Sequence, residues 1–90
     1  MTYSVNENKK KGGMGMHLHA LSRGERGRVK ALQAGGSIEM RLRDLGVIEG
    51  TLITCLGKSP LGDPTAYQIR GAVIALRKED AAKVLIEREG

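Results

Sequence analysis

The side chains in this sequence best suited to nucleophilic or metal chemistry are His17, His19 and Cys55. Nucleophilic catalysis needs a Ser, Cys or Thr beside a base that a third group orients. Cys55 lies in a stretch that reads as a strand, where a small buried hydrophobe is its commoner role. His17 and His19 border a polar N-terminal segment, a poor place to hold a general base in register. Their His-X-His spacing suits chelation of a transition ion from an extended segment, so His17, His19 and Cys55 form the candidate metal set. Without a further Cys or His at short spacing they do not define a dedicated site. The carboxylates Glu39, Asp44, Glu49 and Asp63 are scattered, whereas hard ions need several converging oxygens. These residues predict a protein that is not an enzyme and has no resident cofactor, a transition metal ion being the one cofactor candidate.

Thirteen glycines invite a search for a phosphate-binding loop. No stretch reads Gly-x-x-x-x-Gly-Lys-Ser/Thr, and neither Gly12-Gly13 nor Gly35-Gly36 lies between a buried parallel strand and a long helix. The chain is not expected to be an NTPase, and its glycines are assigned to positive-φ turns. Lys and Arg number 15 against 10 Asp and Glu, a formal net charge of +5. Such an excess permits an anionic partner without naming one. Lys9, Lys10 and Lys11 carry part of it, and the remainder is spread with no dense basic face. Only two Tyr are present, with no Trp or Phe, so the stacking platform that small barrels offer single-stranded nucleic acid is missing. No nucleic-acid partner is expected.

The elements that must position these groups are short. Ninety residues with 40% apolar content support one small aliphatic core and exclude a second core or a large enzyme architecture. Residues 1–16 are polar, show no hydrophobic period and read as a disordered tail, leaving a domain at 17–90. Residues 28–32 alternate as a first strand. Ser37 is placed to cap a helix over 38–45, with Glu39 in its first turn, Ile38, Leu42 and Leu45 on one face and Gly46 in the left-handed C′ position. Residues 51–57 form a second strand. Residues 65–70 and 72–77 flank Gly71 as a hairpin, 78–83 make a helical turn with Ala81 inward, and 84–87 return as a strand. Five short strands with two brief helices predict a mainly β fold, a small, strongly bent barrel. No segment has the roughly 18 apolar residues needed to span a bilayer, the N-terminus lacks a signal-peptide core, and a single Cys favours a reducing compartment. A cytoplasmic protein is expected.

Two features remain unexplained by folding alone. Ser59-Pro60-Leu61-Gly62-Asp63-Pro64 is a loop by composition, yet Leu61 stands among its turn formers and must either fold back onto the domain or meet a partner. Arg41, beside Leu42 on the helix, either solvates its charge or buttresses the chain through its guanidinium fork.

These residues belong to a larger pattern. Arg41-Leu42-Arg43-Asp44-Leu45-Gly46-Val47 followed by Glu49-Gly50, the loop Ser59-Pro60-Leu61-Gly62-Asp63-Pro64, Ile69-Arg70-Gly71, and Ala75-Leu76-Arg77 leading to Ala81 resemble the FeoA family of bacterial ferrous-iron transport proteins. The resemblance runs from about residue 18 to 87. It departs at Glu49, where the family often carries Pro. It implies an SH3-like β-barrel and a cytoplasmic accessory role beside FeoB, a membrane permease with a GTP-binding domain. The implied partner is the cytoplasmic region of FeoB, with the membrane reached only through the permease. Pro60, Leu61, Gly62, Asp63 and Arg41 are the candidate partner-binding residues. The alternative is a metal-responsive SH3-like domain binding a transition metal ion. Self-association through an exposed edge strand or the Leu61 loop is left open.

Overall fold

The computed structural model describes residues 15–89. The chain forms six strands: β1 (Gly15–His17), β2 (Arg26–Leu32), β3 (Leu52–Lys58), β4 (Thr65–Ile69), β5 (Ala72–Leu76) and β6 (Val84–Glu89). Helix α1 (Gly36–Asp44) connects β2 to β3, and helix α2 (Lys78–Ala81) connects β5 to β6. A 3-10 turn, Leu18–Ala20, follows β1. The strands form one antiparallel sheet in the order β1-β6-β2-β3-β4-β5.

The mainly β class and the two helices agree with the sequence expectation, while the barrel does not. The hydrogen-bonded ladder is open, with β1 and β5 as edges. There are six strands rather than five, because Gly15–His17 pairs with β6, Met16 facing Ile86. Three residues cannot display a period-two pattern, so their strand state comes from pairing. Gly15 and Met16 thus belong to the sheet, and the rest of the expected tail lies outside the described residues.

Helix α1 starts earlier than expected. Gly35 is its N-cap, no side chain caps it, and Ser37 lies inside its first turn. Its C-terminal end follows the sequence closely: Gly46 takes φ +100°, its N–H donates to the Arg43 carbonyl at 2.9 Å, and the Val47 N–H donates to the Leu42 carbonyl at 2.9 Å. This is a Schellman motif, and its C″ and C3 side chains, Val47 and Leu42, are both fully buried.

The core is aliphatic apart from Tyr67 and Cys55. Leu18, Leu42, Ile53, Ile69, Val84 and Ile86 are fully buried, with Ile38 of α1 and its C-cap Leu45 packed against them. Every layer of the chain contributes, so the sheet, α1 and the 3-10 turn share a single interior. The β4–β5 hairpin turns at Arg70 (φ 51°) and Gly71 (φ 86°), the double positive φ of a two-residue turn that matches strand twist.

Candidate functional site

The loop between β3 and β4 is built from its own backbone outward. The Ser59 N–H donates to the Pro64 carbonyl at 2.9 Å, and the Gly62 N–H donates to the Ser59 carbonyl at 2.8 Å. The Asp63 carboxylate then accepts the backbone N–H of Lys78 at 2.8 Å, fastening the loop to the start of α2. With its ends closed and its flank tied, the loop presents Leu61 with 93% of its surface in solvent. Leu61 does not fold back onto the domain in this structure.

Arg41 is fastened to the same short helix from the other side. Its Nη2 lies 3.1 Å from Asp80 Oδ2, with the Arg41 side chain 61% exposed and that of Asp80 12% exposed. The guanidinium buttresses α1 against α2 and still presents most of its surface to water. Arg41 and the Leu61 loop do not share a cleft. Arg41 lines a groove with Leu45, Ile74 and Leu76, whereas Gly62 lines a separate cleft with His19, Lys58, Thr65 and Lys78. Helix α2 contributes to both and is the piece that fixes each relative to the other.

The candidate metal residues are only partly assembled. His17 and His19 stack with near-parallel rings, centroids 5.9 Å apart. Cys55 is a buried free thiol on β3; it borders a surface cleft with His19, Arg23 and Lys58, which His17 does not line. Among the described residues no three His, Cys, Asp or Glu side chains are grouped to hold a metal ion. Two imidazoles fall short of the three or four donors of a resident transition-metal site, so the donor set does not fit one.

Next to this loop, Tyr67 is buried on β4. Its phenol is pushed up to about 12, chiefly by burial and then by the Cys55 thiol, with Asp63 adding to the rise and a hydrogen bond with Thr65 opposing it. Tyr67 is a neutral part of the core at every ordinary pH.

Sequence reasoning missed Lys58 and Lys78 as neighbours of the Leu61 loop. They are far apart in the chain, and only the β3–β4 pairing and the Asp63 tie to α2 bring Lys58 and Lys78 to one cleft. Among the described residues no helix is long and apolar enough to cross a membrane.

Comparison with known proteins bears on the whole of this domain. The FeoA domain family matches residues 16–88. A relative from Porphyromonas gingivalis, a fusion of Fe(2+) transport protein A with the Fe(2+) transporter FeoB, is 33% identical over 72 residues. That match takes in 80% of this chain but 8% of the far longer fusion protein. The solution structure of a FeoA-like protein from Clostridium acetobutylicum superposes with a TM-score of 0.77 at 31% identity, over 82% of this chain and 86% of that one. The crystal structure of Stenotrophomonas maltophilia FeoA complexed with zinc, described as a prokaryotic SH3 domain protein, superposes with a TM-score of 0.71 at 30% identity. It covers 80% of this chain and 89% of that one. With the family match running from the first strand to the last and the same fold in its solved relatives, this chain belongs to the FeoA domain family.

Proposed function

We propose that this chain is a non-catalytic accessory protein of ferrous-iron uptake that docks on the cytoplasmic region of FeoB and modulates the permease's activity or assembly. The observation that carries the docking site is Leu61, 93% exposed at the tip of a loop held by three hydrogen bonds. An apolar side chain held in water on a pinned loop loses little further entropy when a partner covers it. Pro60, Gly62 and Asp63 frame that contact, and Arg41 acts from the far side of α2. The fusion of the two parts in the P. gingivalis relative supports association with FeoB. In this reading the protein works in the cytoplasm and reaches the membrane only through the permease.

The test is an NMR titration of the isotopically labelled protein with the cytoplasmic region of its cognate FeoB, with and without a GTP analogue. Saturable shifts centred on residues 60–64 are expected. A Leu61→Asp variant should lose them while keeping a wild-type spectrum in the free state. Saturable shifts on a distant face would reject the loop, and no shifts at high micromolar partner would reject the docking reading.

The metal-responsive alternative draws on the zinc in the S. maltophilia structure and on the stacked His17 and His19. Calorimetry with Zn(II) on the wild type and on His17→Ala/His19→Ala decides it. Micromolar binding lost in the double variant is its required result.

A further inference from the structure

The cations of this domain divide into two groups. Arg28, Lys30, Arg41, Arg43 and Arg88 each face a carboxylate, Glu89, Glu87, Asp80, Glu39 and Glu25 in turn. Arg23, Arg26, Lys58, Arg70, Arg77, Lys78 and Lys83 form no ion pair among the described residues, and of these Lys58 and Lys78 come together beside the loop that carries the exposed leucine. Lys58 and Lys78 line a cleft of about 190 Å³ with His19, Thr65 and Gly62, the residue after Leu61. A second cleft of about 570 Å³ shares His19 and Lys58 with the first and adds Arg23. The Asp63 carboxylate on the loop accepts the Lys78 backbone N–H.

Uncompensated positive charge in a concave site focuses its field outward and favours an anionic occupant. An apolar anchor beside unpaired charges is also how compact interfaces combine affinity with register. Resting on the docking reading above, we infer that the segment received by this surface is an acidic peptide segment of the partner. It covers Leu61 with an apolar side chain and places carboxylates in the cleft between Lys58 and Lys78, with Arg23 extending the basic rim. Lys58 and Lys78 line a recess next to the leucine's loop, into which a narrow chain reaches further than a flat sheet of lipid headgroups. The one ring lining either cleft is the His19 imidazole, which already stacks on His17, and neither cleft has a Trp, Tyr or Phe platform for a nucleobase.

The experiment measures affinity of the full chain for the cytoplasmic region of FeoB by calorimetry, at low salt and at about 0.3 M salt, where surface charges are strongly screened. Lys58→Glu/Lys78→Glu should weaken binding by about tenfold or more and flatten the salt dependence. A control of equal charge change away from the cleft, Arg26→Glu/Lys83→Glu, should stay within about threefold of wild type. Heteronuclear spectra of each free variant verify the fold. If the cleft variant binds like the control while Leu61→Asp still weakens binding, the acidic segment is rejected and the docking reading survives. If the wild type does not bind at all, the docking reading itself fails and takes this inference with it. Vesicles of phosphatidylglycerol form the remaining arm. If they bind the wild type and lose the cleft variant while FeoB binding is unchanged, the cleft is a membrane surface and the peptide is overturned.

Discussion

Leu61 and Tyr67 sit a few residues apart along the chain and mark the two extremes a side chain can occupy. Leu61 has almost its whole surface in water, so folding gains nothing from it and its removal costs folding nothing. Leu61→Asp is expected to leave the urea midpoint within about 0.5 kcal/mol of wild type, and a larger loss would show that the loop leans on it. Tyr67 is 1% exposed, and its phenol is held near 12 against an ordinary 10.0. Between those values the unfolded chain has released the phenolic proton and the folded chain has kept it. Stability therefore falls as pH rises through that window, by about 1.4 kcal/mol per unit, and levels off above it. Tyr67→Phe removes that slope. Urea titrations between pH 9 and 11.5 read it directly, and equal slopes in the two proteins would place the alkaline transition elsewhere.

At the level of elements, α2 organises the candidate surface, although it has only four residues. One side holds the loop through Asp63 and the other holds α1 through Arg41. Asp63→Ala deletes a charge-assisted bond to a backbone N–H and should cost about 1 kcal/mol, whereas Asp63→Asn keeps an acceptor and should restore most of it. Thermal melts of the pair separate the tether from the charge. Gly46→Ala acts on α1 instead: φ is +100°, and an added Cβ would come within 2.5 Å of the Arg70 Cδ. A loss of about 1 to 2 kcal/mol in chemical denaturation is expected. This C-terminal end was legible in the sequence because glycine, the preceding apolar face and Val47 report one local motif. The other end was not, since Gly35 caps α1 through its backbone alone and leaves no side-chain signal at Ser37. The basic cleft was less legible still. Lys58 and Lys78 meet only through strand pairing and the Asp63 tether, and no spacing rule predicts such a meeting. Leu61 was legible as an anomaly, while the choice between folding back and staying in water needed the loop's hydrogen bonds.

Over the whole molecule, the short strands and strongly bent chain suggested a closed barrel, and the ladder proves open. The two ends of the sheet come together off the ladder: the 3-10 turn after β1 lies against α2, which follows β5, and Leu18 of that turn and Ala81 of α2 are fully buried in the same core. Closure through packing lets one aliphatic core serve every strand, but it concentrates stability in few residues. Ile86 shows the consequence. It faces Met16 on β1 and Val29 on β2 and is fully buried, so Ile86→Ala removes contacts from three strands at once and should cost about 2 to 5 kcal/mol. A domain of this size has roughly 5 to 13 kcal/mol in all. The variant should unfold at a much lower urea concentration, with circular dichroism and NMR amide signals from both edges of the sheet disappearing together. Val73→Ala, exposed on β5, is the matched control and should cost less than about 0.5 kcal/mol. If β1 signals vanish in Ile86→Ala while those of β4 and β5 persist, the two ends of the sheet do not share one core, and α2 cannot then position the Leu61 loop and Arg41 as a unit.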